Sequence, residues 1–203
     1  HRWKRLAARI AVGKDLGPAL DVATGTGDLA FELAKLPGVT SVVGIDFCAD
    51  MLEVAKLKHG YQKTKPQTSF TLGDALALDY QDNVFQFVAS GFALRNVENI
   101  ETAISEMARV VKPGGRICVL ELTPLTGRAF WEPFLKLYLK TVLPVLGQLL
   151  AKDRSAYTYL PNSVDRFPNA EELASLFKGC GLVKVGFKRM NLGTIAIHWG
   201  TKP

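Results

Sequence analysis

The sequence predicts an α/β fold of the doubly wound kind, a mostly parallel sheet of seven strands with an antiparallel C-terminal hairpin. Three observations carry that expectation. Short apolar runs bounded by Gly, Asp or Pro alternate with stretches of helical periodicity, as repeated strand–helix units require. A glycine loop, Gly25-Thr26-Gly27, stands between the first such run and the first such stretch. With 203 residues and 48% hydrophobic content the protein can bury one full core, so a single domain over 1–203 is expected.

Each element follows in order. Ala19 to Ala23 reads as the first strand, and Asp28 to Leu36 as the helix beyond the glycine turn. Ser41 to Ile45 is a second strand and Ala49 to Lys58 a second helix; Thr68 to Leu72 and Phe85 to Ser90 are strands three and four. Between Ile100 and Val111, the residues Ile104, Met107, Ala108 and Val111 recur at the spacing of one buried helix face. Lys112-Pro113-Gly114-Gly115 reads as its stop, because Pro and Gly do not continue a helix, and Arg116 to Leu122 is the fifth strand. Residues 124–168, rich in aromatics, Leu and Pro, read as an insertion with helical parts over the substrate side. Asn169 to Lys178 is a helix ended by Gly179-Cys180-Gly181. Two strands come last, Val183 to Arg189 and Thr194 to Trp199, joined by Asn191-Leu192-Gly193.

Charge and cysteine usage narrow the partners. The net charge of +6 attracts anions, but the basic residues are dispersed and form no recognisable nucleic-acid module, so no nucleic acid is expected. Cys48, Cys118 and Cys180 lie far apart with no C-x-x-C spacing. They read as small buried hydrophobes in a reducing, cytoplasmic compartment, with no metal site. Phe130 to Leu150 is the most membrane-like stretch, yet it holds Glu132, Lys136, Lys140, Pro133 and Pro144. A spanning helix needs about 20 mostly apolar residues, so this one is not expected to cross a bilayer. Trp131, Phe134, Leu135, Tyr138, Leu139 and Val142 recur near helical spacing beside the two lysines. That pattern suits a helix lying in an anionic headgroup layer and equally a lid over the domain's own core.

The glycine loop has two readings. Asp21-Val22-Ala23-Thr24-Gly25-Thr26-Gly27-Asp28 lets the backbone turn sharply and a ligand approach it closely, at the carboxyl end of a strand where open α/β sheets bind ligands. Gly25 to Ala30 also satisfies the dinucleotide pattern G-x-G-x-x-G/A, with Asp46 near the distance of a ribose-binding acid. The loop alone therefore separates neither a nicotinamide dehydrogenase nor a methyltransferase. A pyrophosphate suits a helix N-terminus but is repelled by Asp21 and Asp28, whereas the sulfonium and ammonium of S-adenosylmethionine favour them. Charge sign points to the sulfonium ligand. Asp46 can accept hydrogen bonds from both ribose hydroxyls, and Gly73-Asp74-Ala75 offers an acid and an amide to an adenine edge, unless Asp74 only caps a helix.

At this point the sequence resembles class I methyltransferases and, more narrowly, the ubiquinone/menaquinone biosynthesis C-methyltransferase family. The residues that carry the resemblance are Trp3-Lys4-Arg5, Asp21 through Asp28, Gly44-Ile45-Asp46, Leu94-Arg95-Asn96-Val97 and Arg109 through Arg116. Leu120-Glu121-Leu122, Tyr157-Thr158-Tyr159-Leu160, Ser163 and Phe167-Pro168 extend it to nearly the full length. Ala93 replaces the more usual Gly, and Leu122 the more usual Phe. The family's Tyr-Asp-x-Met-Asn-like N-terminal segment is not in this sequence, which is expected to be a piece of a longer protein.

The resemblance implies a Rossmann-like sheet, S-adenosylmethionine as cofactor, and methyl transfer to a ring carbon of a prenylated quinol, demethylmenaquinol or a polyprenyl-benzoquinol. The implied cofactor contacts are Asp21, Ala23, Thr24, Gly25, Thr26 and Gly27 at the loop. Further along come Asp46, Phe47 and Met51, then Asp74 and Ala75, then Ser90 and Gly91. Ionising a ring hydroxyl makes the adjacent carbon nucleophilic, and Arg95 is expected to stabilise the resulting aryl oxide or orient a proton-accepting water. Asn96 would hold that water or a ring oxygen; Tyr157, Tyr159 and Arg166 are expected to line the quinol site. His198, in an apolar strand, reads as structural. Peripheral contact with a membrane and a homodimer are the remaining partner expectations. Competing readings are a different small-molecule or lipid acceptor, a nicotinamide oxidoreductase, and a cofactor-binding regulatory subunit without activity.

Overall fold

A computed structural model describes residues 2–61, 66–124, 163–164 and 166–203, with seven strands and five helices. In sequence order these are α1 (Arg2–Val12), β1 (Gly17–Val22), α2 (Asp28–Ala34), β2 (Val39–Asp46), α3 (Ala49–Tyr61) and β3 (Gln67–Leu72). Then come β4 (Phe85–Gly91), α4 (Ile100–Val110), β5 (Val111–Leu122), α5 (Ala170–Gly179), β6 (Val183–Met190) and β7 (Ile195–Thr201). A short 3₁₀ turn, Leu94–Asn96, follows β4. The tyrosines at 157 and 159 and the segment 130–150 lie outside the described residues.

The strands pair in the order β3-β2-β1-β4-β5-β7-β6. β3, β2, β1, β4 and β5 run parallel, and β7 alone runs against its neighbours β5 and β6. The expected C-terminal hairpin is therefore present, with its second strand threaded beside β5. Strand order reverses between β1 and β4, and a sheet of this kind binds ligands outside the carboxyl ends at that switch.

Alternation along each strand divides the core in two. Ala19, Phe87, Ala89, Cys118 and Leu120 point to the face covered by α1, α2 and α3. Leu20, Val22, Val88, Ile117 and Val119 point to the face covered by α4 and α5, where Ile104, Met107, Leu173 and Phe177 meet them. Asn99 caps α4 by accepting from the Thr102 amide, and Asn169 with Glu172 forms a reciprocal capping box at α5.

Two elements differ from the sequence reading. α1 is absent from it although Trp3, Leu6, Ala7, Ile10 and Ala11 recur at helical spacing; its buried face is Ala7, Ala8, Ala11 and Val12, small residues suited to close packing. Arg116 holds its C-terminal end, Nη1 donating to the Ile10 carbonyl at 2.8 Å. Lys112 to Gly115 does end α4, but it already belongs to β5, with Gly114 at φ +76° where the pairing with β4 slips. Of the cysteines only Cys118 is a buried core residue, with burial pushing its thiol up to about 12; Cys48 and Cys180 are half-buried.

Candidate active site

Register places the chemistry-bearing residues side by side at the carboxyl ends. Asp21 on β1 pairs with Gly44 and Ala89, Val22 with Ile45 and Ser90, and Asp46 with Leu72. β1 then leaves the sheet through Ala23 at φ +54°, and β4 through Phe92 at φ +62°. Two non-glycine residues in the left-handed region flank the switch point, a strain that costs roughly 1–2 kcal/mol each and gathers at functional sites.

Asp21 forms the floor. It is fully buried, and its Oδ2 accepts the Thr24 hydroxyl at 2.6 Å while Oδ1 has no hydrogen-bond partner. Burial pushes its carboxyl up to about 7, against the opposing pull of Thr24 and the charge of Lys4. An acid in this condition gains most from a cationic group brought to Oδ1. Gly25 lies above it at φ +56°, and a Cβ there would meet no protein atom within 4 Å, so a ligand can lie against the backbone.

Gly27 is needed for a different reason. Its φ is +82°, and an added Cβ would stand 3.0 Å from both Phe31 and Phe70. Gly27→Ala is expected to lower stability by about 2–4 kcal/mol, read by thermal melting, from backbone strain plus overpacking. An unchanged melting temperature would show that the loop tolerates a side chain.

Asp46 ends β2 and ties the loop down. Its Oδ2 accepts the Gly25 amide at 2.7 Å and its Oδ1 the Cys48 amide at 3.0 Å. A carboxylate offers about four lone-pair sites, so two remain for further donors. Beyond it, Phe47 is 79% exposed and Met51, on the first turn of α3, 46%. Two large apolar side chains at the rim of a polar cleft offer a surface to a flat ring. Asp74 is exposed, and its Oδ1 accepts the Leu76 amide at 2.9 Å, so it closes a turn rather than capping a helix. Ala75 is half-buried, Ser90 buried with its hydroxyl unpartnered, and Gly91 ends β4 beside Leu120.

Asp28 corrects the charge argument. It sits between Lys4 (3.1 Å) and Lys58 (2.9 Å), and Lys58 also donates to the Thr26 hydroxyl at 2.7 Å. Burial works to raise the Asp28 carboxyl, and the two lysines outweigh it, holding it below the usual range. The negative charge available to a ligand comes from Asp21 and Asp46; Asp28 instead braces α1 and α3 against the loop.

Arg95 is not a free cation. Its Nη1 donates to Glu121 Oε1 at 2.6 Å and to the Phe92 carbonyl at 2.8 Å, and its side chain is 11% exposed. Asn96 is exposed beside it. Sequence reasoning gives Glu121 no role of its own, although an acid inside the apolar run Ile117 to Leu122 is the signal for one. Arg166 is exposed before α5, with no described contact to Arg95 or the glycine loop. His198 is structural: buried, bonded through Nε2 to the Ala170 carbonyl at 2.9 Å and stacked on Phe187, with burial holding it down to about 4.

A profile of the ubiE/COQ5 methyltransferase family matches residues 1–202. The protein belongs to that family. Among its relatives, a ubiquinone/menaquinone biosynthesis C-methyltransferase of Desulfotalea psychrophila is 41% identical, the match covering all of this chain and 80% of the relative. A demethylmenaquinone methyltransferase of Bacillus cereus is 39% identical over 99% of this chain and 84% of its own. The Haemonchus contortus phosphoethanolamine N-methyltransferase 2, solved with S-adenosyl-L-methionine, shares the fold at a TM-score of 0.73 and 14% identity, over 100% of this chain and 52% of that one. As a member of the ubiE/COQ5 methyltransferase family the protein uses S-adenosylmethionine, and the nicotinamide reading of its glycine loop falls away. The site fits that cofactor on its own terms: the unpartnered Asp21 Oδ1 suits an ammonium, the spare lone pairs of Asp46 a vicinal diol, and the open face of Gly25 a closely laid aliphatic segment.

Proposed function

We propose that this methyltransferase acts on a ring carbon of a prenylated quinol, demethylmenaquinol or a polyprenyl-benzoquinol, in respiratory quinone biosynthesis. The observation that carries this reading is similarity along 99–100% of this chain, at 41% and 39% identity, to two enzymes named for that chemistry. Asp21, Ala23, Thr24, Gly25, Thr26 and Gly27 would hold the amino-acid end of S-adenosylmethionine, with Ser90 and Gly91 beside them. Asp46 would take the ribose, and Phe47, Met51, Asp74 and Ala75 the adenine. Bound there, the cofactor supplies an electrophilic methyl group.

The protein's own residues must then hold the acceptor ring in line and favour its ionised hydroxyl, since positioning reacting atoms about 3–3.5 Å apart accounts for much of such catalysis. Arg95 stands on the turn after β4, next to the strand that bears the glycine loop. Already paired with Glu121, it acts as an oriented donor to the ring oxygen or to a water that accepts the proton, and Asn96 assists. Tyr157, Tyr159 and Arg166 complete the quinol site in this reading, and the 130–150 segment meets the membrane surface from the cytoplasmic side. No helix among the described residues is long and apolar enough to cross a membrane. A homodimer is the assembly we propose.

The test is methyl incorporation from labelled S-adenosylmethionine into a demethylmenaquinol with a short prenyl tail. Turnover that falls about 100-fold or more in Arg95→Ala is expected, the size seen when an oriented donor is lost from a reacting centre. Tight cofactor binding with no turnover on either quinol class would move the acceptor to another small molecule or lipid.

A further inference from the structure

We infer that Glu121 is a positioning residue for methyl transfer, fixing the Arg95 guanidinium by its Nη1 so that Nη2, on the opposite edge, is presented to the acceptor's ring oxygen. The inference rests on the assignment of Arg95 under the proposed function.

Glu121 is 1% exposed, on a strand otherwise apolar from Ile117 to Leu122. An acid buried that deeply is costly unless each oxygen is held. Here Oε1 accepts both Arg95 Nη1 and the Leu122 amide at 2.8 Å, and Oε2 lies 3.4 Å from the Arg95 amide. The carboxylate thus grips the arginine twice, by side chain and by backbone, and so sets the 3₁₀ turn Leu94–Asn96 as well as the guanidinium. Arg95 in turn donates to the carbonyl of Phe92, the strained residue through which β4 ends. One ion pair therefore over-determines the whole turn that carries Arg95 and Asn96.

The unused edge is what marks this as more than a structural staple. The described hydrogen bonds of Arg95 all leave from Nη1 and the backbone amide, and Nε is buried with no partner. Two hydroxyls nearby in the fold share that condition, Ser90 at the end of β4 and Thr123 just past β5. Ser90 pairs across the sheet with Val119, and Glu121 and Thr123 alternate onto the same face as Val119. Buried polar atoms are nearly always hydrogen-bonded, so two unpartnered hydroxyls on the face that bears Glu121, together with the unpartnered Nε of the guanidinium it holds, point to a polar ligand as their partner. The pair is also close to neutral overall, so Arg95 serves as a directed donor rather than a counter-ion, and direction is what Glu121 supplies.

The test compares Glu121→Gln, Arg95→Ala and the double variant, using demethylmenaquinol with a short prenyl tail as acceptor and guanidinium chloride as the probe. Glu121→Gln, confirmed folded by its melting curve, is expected to lower kcat about tenfold or more, with S-adenosylhomocysteine affinity within about twofold of the parent. Millimolar guanidinium is expected to restore part of the activity of Arg95→Ala, and that restoration should vanish in Arg95→Ala/Glu121→Gln, because the acid that seats the added cation is gone. A purely structural Glu121 would not make rescue depend on it. Equal rescue in both backgrounds, or an unchanged kcat in Glu121→Gln, overturns the inference. Full activity in Arg95→Ala would instead overturn the assignment of Arg95 on which it rests.

Discussion

Replacing Asp21 by Asn is expected to make the free protein more stable above neutral pH while crippling its cofactor binding. Asp21 is fully buried with one oxygen unpartnered, and burial raises its carboxyl from 3.8 to about 7. A folded-state value above the unfolded one means the folded protein holds this proton more tightly. Stability from this group is then fully present below about pH 4 and is lost as pH rises through about 7. The shift of roughly three units corresponds to about 4 kcal/mol, an upper figure because the Asn amide brings a buried donor of its own. Melting at pH 8 should show Asp21→Asn higher by about 2–4 kcal/mol of stability, and the parent's decline between pH 4 and 7 should flatten. Cofactor binding runs the other way. A cationic ligand selects the ionised carboxylate, so affinity in the parent should climb as pH approaches 7, and Asp21→Asn should bind about ten- to a hundredfold more weakly with that climb removed. A variant that melts no higher than the parent at pH 8 would show that Asp21 ionises there at no cost.

Asp46→Ala is expected to abolish measurable binding of S-adenosylhomocysteine at micromolar concentrations. Its carboxylate holds the Gly25 and Cys48 amides, and in the proposed site its other lone pairs take the ribose diol. Hydrogen bonds to a charged acceptor contribute about 1.5–3 kcal/mol each, so losing two with the diol predicts about a 100-fold drop or more. Loosening of the glycine loop adds to it. Asp46→Asn, which keeps one acceptor oxygen, should fall between. Calorimetry at one fixed pH decides the matter, and an Asp46→Ala affinity within about threefold of the parent would remove Asp46 from the cofactor site.

How far the site is legible depends on whether its signal is local. The strands are readable because a half-buried or buried strand needs its apolar residues in an unbroken or alternating run. The loop is readable because Gly25 and Gly27 are followed at once by a helix. α1 is legible too, because Trp3, Leu6, Ala7, Ile10 and Ala11 recur at helical spacing. The role of Asp28 is hidden because Lys4 and Lys58 lie 24 and 30 residues away from it in sequence. Arg95 looks like a free charge for the same reason: Glu121 is 26 residues further along.

By itself, then, the sequence determined the alternation of strands and helices, the carboxyl-end position of Asp21, Asp46 and the glycine loop, and the family's chemistry through contiguous motifs. Periodicity and turn residues are properties of neighbours, and neighbours are what a sequence displays. Only the tertiary structure decided which charges are spent and which are spare: Asp28 taken by two lysines, Arg95 turned by Glu121, Asp21 left half-partnered at the floor. Those outcomes depend on burial and on pairings between distant strands and helices, because a charge's effect is set by what faces it across the fold and by how far water is excluded there.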